Sequence, residues 1–139
     1  MQHPTRKREN PSAGPGDGTR CRFGASCEGG ADLKVLTHFR NACAHNERFF
    51  LLKSPKADIP DLSHHGRLEI PKKGDTYACG KRDLFAVVIA LRCMLSVDRF
   101  QVFQKQLEHE IDGYLQDSGA LTSEQLYEGM GFPPRWREI

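Results

Sequence analysis

The feature that most constrains the fold is residues 81–95, KRDLFAVVIALRCML, which are apolar around almost the whole circumference of a helix. A surface helix has one apolar stripe and one charged face, whereas a helix that is apolar on every side must be covered by other elements. These residues therefore predict the central helix of a bundle. Its longest apolar run, residues 84–91, is far shorter than the roughly 18 to 20 residues that a membrane span needs.

A first helix is predicted ahead of the central one. It begins at Ala31 and runs for about 14 residues, because apolar residues recur there at spacings of three and four. Asp32 is a plausible cap or first-turn anion, and Asn46 is a residue type that often follows the end of a helix. The predicted buried face consists of Leu33, Leu36, Phe39 and Cys43.

Two more helices are predicted after the central one. Ser96 can cap the first of them, and Thr122 with Gln125 fits a T-x-x-Q capping box that opens the second, which ends at Gly129 or Gly131. Trp136 near the end of the chain is expected to anchor the core together with Phe132 rather than to stack on a nucleic-acid base. The stripe of the longer helix consists of Val97, Phe100, Phe103, Leu107, Ile111 and Leu115.

Two segments lack helical periodicity. Residues 1–30 are rich in glycine and proline and poor in bulky apolar side chains, so we expect them to be disordered. Residues 46–80 carry three prolines and three glycines, which predicts a long connection in which RLEIP and DTYACG form a small hairpin. The fold class is therefore all-α, with one helical domain over residues 31–139.

Charge and cysteine content narrow the classes of function. The net charge is only +2, from 20 Lys and Arg against 18 Asp and Glu, so any basic surface for nucleic acid must be local. The N-terminal residues lack the apolar region of a secretory signal, and we interpret the chain as cytoplasmic. Five cysteines do not imply disulfides, because Cys43 and Cys93 occupy apolar helical patterns where a thiol is usually a small buried hydrophobe.

The most distinctive polar pair is Arg40 and His45, which lie in the otherwise apolar end of the first helix. Five positions correspond to about 140° around an ideal helix, so the two side chains converge only near the helix end or across an interface with a second copy. The simpler interpretation is structural: Arg40 extends to solvent and His45 interacts favourably with the C-terminal helix dipole. The spacing alone does not separate the two interpretations.

The residues around Arg40 and His45 resemble a known sequence motif. RNACAHNERFF resembles the R-x-x-x-x-H motif of HEPN ribonuclease domains, in which a polar residue, here Asn41, follows the arginine. IPDLSHHGRLEIPKKGDTYACGKRDLFAVVIAL and the closing MGFPPRWREI are similar to the abortive infection (Abi) family of bacterial phage-defence proteins. Members of that family are usually about twice as long, with helices ahead of the motif helix. The chain thus resembles the C-terminal half of the family, as a truncated gene product would.

The resemblance implies a partial HEPN-like bundle and an endoribonuclease that needs no metal or other cofactor. In it, Arg40 would clamp the phosphate, His45 would be the acid and base, and Asn41 would orient one of them or the RNA. RNA would be the substrate, a homodimer the active form, and an antitoxin-type protein a further partner. The competing hypothesis is a non-catalytic helical remnant or a module that binds RNA or a protein without cutting.

Other polar residues are candidates for RNA-binding or metal-binding sites. Lys72, Lys73, Lys81 and Arg82 are predicted to contact an RNA backbone, although a solvated charged loop would carry the same residues. His64 and His65 are expected to be plain surface residues rather than a metal or RNA site. Cys21 and Cys27 lack a second pair at zinc-site spacing, so no metal site is predicted.

Overall fold

The computed structural model describes residues 30–139, and within these residues the chain is mostly helical. The predicted disorder of residues 1–30 and the assessment of Cys21 and Cys27 lie, except for Gly30, outside the described residues. The predicted all-α class is confirmed. Along the described chain the elements are α1 (Ala31–Ala44), a 3-10 turn (Phe49–Leu51), α2 (Ser63–Arg67), β1 (Lys72–Lys73), β2 (Thr76–Tyr77), α3 (Leu84–Met94), α4 (Val97–Ser118), α5 (Ser123–Met130) and a second 3-10 turn (Trp136–Glu138).

Helix α3 is the centre of the core, as its apolar circumference predicts. Asp83 caps its first turn, because its side chain accepts a hydrogen bond from the Ala86 N–H. Helix α1 packs along α3, and α4 and the first 3-10 turn cover further sides. The closing segment contributes Phe132 and Trp136, whose rings pack edge to face with centroids 5.1 Å apart. Trp136 is therefore a core anchor, in agreement with the prediction.

The connection between α1 and α3 also belongs to the core. Ile59, Leu62, Leu68 and Ile70 are buried in the same apolar cluster as α3. These side chains help to cover the apolar surface of α3, because the domain has few other helices that could do so. The aperiodic segment is therefore a packed wall of the domain, and it contains a short helix, α2, that the sequence pattern did not predict.

A hairpin is present in this connection, and its second strand lies within the predicted DTYACG, but its first strand lies just after RLEIP and not in it. Lys72 pairs with Tyr77 and Lys73 pairs with Thr76, whereas the first three residues of RLEIP lie at the end of α2 and in the turn that follows. Gly74 has φ 71°, and a glycine with positive φ at the first position of a two-residue loop is typical of a type II′ hairpin turn. The turn therefore sets the register, and the apolar letters on either side of it do not.

The buried face of α1 is rotated from the predicted one. Val35, Phe39 and Ala42 are buried, whereas Leu33 is 53% exposed and Cys43 is exposed. The predicted face was wrong at these two positions, because the residues of the true face also recur at spacings of three and four. Asp32 lies in the first turn of α1, which is one of its two predicted positions, whereas Gly30 occupies the cap. The Asp32 side chain is buried, and desolvation raises the pKa of its carboxyl.

Helices α4 and α5 follow the predicted pattern. Phe100 and Ile111 are buried in the stripe of α4. Thr122 and Gln125 form the reciprocal capping box at the start of α5, and Gly131 ends this helix with φ 74°. Ser96 precedes α4 without donating or accepting a side-chain capping bond. Over residues 30–139, none of the helices combines the length and the apolar character needed to cross a membrane.

Candidate functional site

The predicted catalytic residues lie at the exposed C-terminal end of α1, which we call the motif end (Arg40, Asn41 and His45). All three residues are exposed. Nη1 of Arg40 donates a hydrogen bond of 3.2 Å to Oδ1 of Asn41, so the amide contacts one of the groups that it was predicted to orient, which were Arg40, His45 and the RNA. Among the described residues, the His45 side chain has no hydrogen-bond or ion-pair partner. The imidazole is therefore open to a ligand from solvent.

The backbone at the motif end is held by a Schellman motif. The Glu47 N–H donates to the Ala42 carbonyl at 3.0 Å, and the Asn46 N–H donates to the Cys43 carbonyl at 3.2 Å. Asn46 adopts φ 55°, the left-handed conformation that asparagine tolerates better than most residues. This motif satisfies the last carbonyls of α1 and fixes the backbone of His45, the residue at which the helix ends.

The helical positions of these side chains set what they can reach together. Lys34, Asn41 and His45 are separated by seven and four positions, which places all three within about 40° around the axis of α1. Arg40 lies about 120° from Lys34 on the other side of the stripe. One protomer thus presents an exposed line of Lys34, Asn41 and His45, with the Arg40 guanidinium approaching that line through its bond to Asn41.

The four residues predicted to bind RNA lie around the hairpin and the turn before α3. The Lys72 ammonium lies 4.9 Å from the centroid of the Tyr77 ring. Lys73 and Arg82 are exposed, whereas the Lys81 side chain is only 12% exposed and its Nζ is 2.7 Å from Oδ1 of Asp61. Lys81 is thus already neutralised within the fold, and Lys72, Lys73 and Arg82 are better placed for a phosphate.

Two clefts adjoin each other at this side of the molecule, and we call them the basic clefts. The larger, of about 390 Å³, lies between the N-terminal end of α1 and the connection. The smaller, of about 210 Å³, lies between the connection and the hairpin, and both clefts are lined by Asp58 and Lys81. The cationic side chains that line one or both of them are Lys34, Lys53, Lys56, Lys81 and Arg82.

Three of these lysines were missed by the sequence interpretation. Lys34, Lys53 and Lys56 are exposed, and in the part of the chain that the structure describes no carboxylate lies within ion-pair distance of them. They are spread over two segments and form no run of basic letters, so no local pattern points to them. The folded connection brings them to one side of α1.

The second predicted surface feature, His64 with His65, is wrong, because both residues are buried. Nε2 of His65 lies 2.8 Å from the Gly80 carbonyl, and Nδ1 accepts the Leu62 N–H at 3.0 Å. A carbonyl only accepts, so Nε2 carries the hydrogen. The ring also stacks on Tyr77 with centroids 4.7 Å apart. His65 therefore ties α2 to the hairpin and to the turn before α3.

Asp83 extends this structure into a buried polar cluster, formed by His65, Gly80 and Asp83. The Asp83 carboxylate accepts hydrogen bonds from the N–H groups of Gly80 and Ala86. Desolvation nevertheless raises the pKa of Asp83 to about 6, because burial penalises the charged form more than these donors stabilise it. The backbone of Gly131 packs so closely on the Asp83 side chain that a Cβ at residue 131 would collide with it.

His64 is also buried, but it differs from His65 in its hydrogen bonding. Within residues 30–139, its Nδ1 has no hydrogen-bond partner, and desolvation lowers the pKa of the imidazole, with repulsion from Arg67 and Arg92 as further causes. Over the same residues, no three His, Cys, Asp or Glu side chains are grouped closely enough to hold a metal ion. The two histidines of α2 thus belong to the interior of the domain.

We compared the chain with protein-family models, with curated proteins and with solved structures, and none of the three comparisons found a match. Function is therefore inferred from the residues and their geometry, together with the resemblance of the motif segments.

Proposed function

We propose that the chain is a metal-independent endoribonuclease of the HEPN type, corresponding to the C-terminal half of an abortive infection protein. The observation that carries the proposal is the motif end: a guanidinium, an amide bonded to it and an unpartnered imidazole are exposed together where α1 ends. These are the groups that RNA cleavage through the 2′-hydroxyl requires. A mostly helical domain centred on α3 supports the further proposal of a partial HEPN-like bundle.

The proposed reaction uses the RNA as its own nucleophile. His45 accepts the proton of the 2′-hydroxyl, the 2′ oxygen forms a bond to phosphorus, and the bond from phosphorus to the 5′ oxygen breaks. The leaving oxygen takes up a proton from protonated His45, which restores the neutral imidazole and gives a 2′,3′-cyclic phosphate and a 5′-hydroxyl. Histidine is the side chain that most readily accepts and returns a proton near neutral pH, which suits it to acid–base catalysis. The planar fork of Arg40 binds two phosphate oxygens while negative charge develops.

A second copy of the chain completes this proposal. Arg40 and His45 lie about 140° apart around one helix, so two motif ends facing each other surround a phosphodiester better than one motif end does. The chain would then act as a homodimer in the cytoplasm, with RNA as substrate and an antitoxin-type protein restraining it before phage attack.

Replacement of His45 tests the proposal most directly. We expect His45→Ala to abolish detectable cleavage of a labelled RNA, because acid–base catalysis contributes about 10²- to 10⁴-fold. The products of the wild type should carry the cyclic phosphate. His109→Ala is a matched control, since His109 is exposed on α4 and should leave cleavage unchanged. Equal cleavage by wild type and His45→Ala would eliminate the proposed site.

Replacement of Arg40 tests the second role. We expect Arg40→Lys to reduce cleavage by about 10-fold or more, because an ammonium retains the charge but cannot make the bidentate contact. Arg99→Lys, at an exposed position of α4, controls for the loss of an exposed guanidinium. If Arg40→Lys cleaves as fast as the wild type, the clamp is not at Arg40.

The alternative function is that of a non-catalytic helical remnant or a module that binds RNA or a protein partner without cutting. The observation that favours it is the separation of the basic clefts from the motif end, since binding through the clefts requires neither Arg40 nor His45. A wild-type chain that binds RNA and yields no cyclic phosphate product under any condition, alone or at high concentration, would support this alternative.

A further inference from the structure

The larger basic cleft and the motif end lie at opposite ends of α1. Lys34 lines the larger cleft, and it lies six residues before Arg40 and eleven before His45. At a rise of 1.5 Å per residue, these separations are about 9 Å and about 16 Å along the helix axis. A single phosphate therefore cannot contact both places.

A continuous exposed line connects the two places. Lys34, Asn41 and His45 share one stripe of α1 within about 40°, so a strand that runs along this stripe passes from the larger cleft to the motif end. A stacked strand advances about 3.4 Å per nucleotide, so the distance from Lys34 to His45 corresponds to about five nucleotides. Thr37 lies between them on the exposed side of α1. Its uncharged side chain donates its hydroxyl to the Leu33 carbonyl, so it places no negative charge beside the path of the strand.

The charges around the clefts suit a polyanion. Lys34, Lys53, Lys56 and Arg82 are exposed and have no ion pair within residues 30–139, whereas Lys81 is neutralised by Asp61. Asp58 lines both clefts and is the exposed acidic group that opposes an anion there. The remaining acid on the smaller cleft, Asp83, is buried and bonded to backbone N–H groups.

We propose that the basic clefts bind the phosphate backbone of single-stranded RNA about five nucleotides away from the bond that is cut at the motif end. This inference deepens the proposed function and depends on it for the position of the cut. The substrate class is then a single-stranded RNA that extends beyond the cleavage site far enough to reach Lys34.

The binding part of the proposal is testable without catalysis. The full chain is titrated against a fluorescent single-stranded RNA with 2′-O-methyl groups, which lacks the nucleophile and cannot be cut. The variant is Lys34→Ala with Lys56→Ala, and the matched control is Arg99→Ala with Lys105→Ala, which removes the same charge from exposed positions of α4. Each lost phosphate contact should reduce the slope of log affinity against log salt by about 0.7.

We expect the cleft variant to lose about 10-fold in affinity and about 1.4 in salt slope, while the control stays near the wild type. Asp58→Asn should raise the affinity, because it removes the opposing carboxylate. Equal losses in the two double variants would overturn the proposal, because net charge alone would then explain them. Vesicles with an anionic lipid are the second arm: loss of vesicle binding with unchanged RNA binding would assign the clefts to a membrane and overturn the RNA assignment.

The length of the substrate tests the position of the cut. Wild-type cleavage should be lost when fewer than about five nucleotides lie between the cut and the nearer end of the RNA on the cleft side, while His45→Ala remains inactive on every length. If His45→Ala removes cleavage but trimming the RNA does not, the proposed nuclease stands and the cleft assignment fails. If the cleft variant loses binding and His45→Ala still cuts, the cleft stands and the nuclease site fails.

Discussion

The motif end and the buried polar cluster use histidine in opposite ways. His45 is exposed, has no side-chain partner among the described residues and is positioned only through its backbone. His65 is fully buried, and both of its ring nitrogens are bonded to backbone groups. An imidazole that must exchange protons needs an open nitrogen, whereas one that holds three segments together needs both nitrogens occupied. The difference separates a chemical role from a structural one.

The largest expected effect is the loss of stability when His65 in the buried polar cluster is replaced. We expect His65→Ala to lower the free energy of unfolding by about 3–5 kcal/mol, because it removes two hydrogen bonds, leaves the Leu62 N–H and the Gly80 carbonyl unsatisfied and opens a cavity beside Tyr77. Urea denaturation followed by far-UV circular dichroism measures the loss.

The matched controls for this measurement are His64→Ala and His45→Ala. His64 is buried on the same helix, but its Nδ1 has no partner in the described part of the chain, so we expect a loss of only about 1–2 kcal/mol. His45→Ala should change the stability by less than about 0.5 kcal/mol. Equal losses for His65→Ala and His45→Ala would contradict the division of roles.

An effect of intermediate size is expected in the pH dependence of stability, because the folded chain raises the pKa of Asp83. Its pKa is raised to about 6 in the folded chain and returns to its ordinary value of 3.8 on unfolding, so the folded state binds the proton more tightly. The contribution of this group to stability is therefore most favourable below pH 3.8 and is lost as the pH rises toward 6, by about 3 kcal/mol at most.

Asp83→Asn isolates this contribution. An amide oxygen retains the acceptor for the Ala86 N–H, and the side chain no longer titrates. Denaturation at a series of pH values between 4 and 7 should show that the wild type loses stability relative to Asp83→Asn as the pH rises. A constant difference across this range would mean that the Asp83 pKa is not raised, and that the bonds to Gly80 and Ala86 outweigh its desolvation.

The two regions also differ in how far the sequence predicts them. Helices α1, α4 and α5 follow from periodicity, from the box of Thr122 and Gln125 and from Gly131, because those signals act within one or two helical turns. The central helix was predicted over residues 81–95, but α3 begins only at Leu84, after its cap Asp83. Asn46 marks the end of α1 in the same local way. The motif end is therefore readable from the letters, including the exposure that follows from its position at a helix end.

The buried polar cluster is not readable in this way. The carbonyl that holds His65 belongs to Gly80, 15 residues further along the chain, and α2 has only five residues and no period. Two adjacent histidines in an aperiodic segment therefore resemble a surface loop. The basic clefts escape prediction for the same reason, since Lys34, Lys53 and Lys56 come together only when the connection packs on α1.

The smallest expected effect is the change in stability when Asn46, which follows the motif end of α1, is replaced. Asn46 holds φ 55° at the end of α1, so we expect Asn46→Ala to cost about 1 kcal/mol, whereas Asn46→Gly should be neutral or slightly stabilising because glycine adopts this conformation without strain. Since the Schellman motif is what fixes the backbone of His45, RNA cleavage should fall in Asn46→Ala and persist in Asn46→Gly, with both variants fully folded by circular dichroism at the assay temperature. Equal cleavage by the two variants would mean that the position of His45 does not depend on this cap, and that a second copy of the chain or the bound RNA orders the imidazole instead.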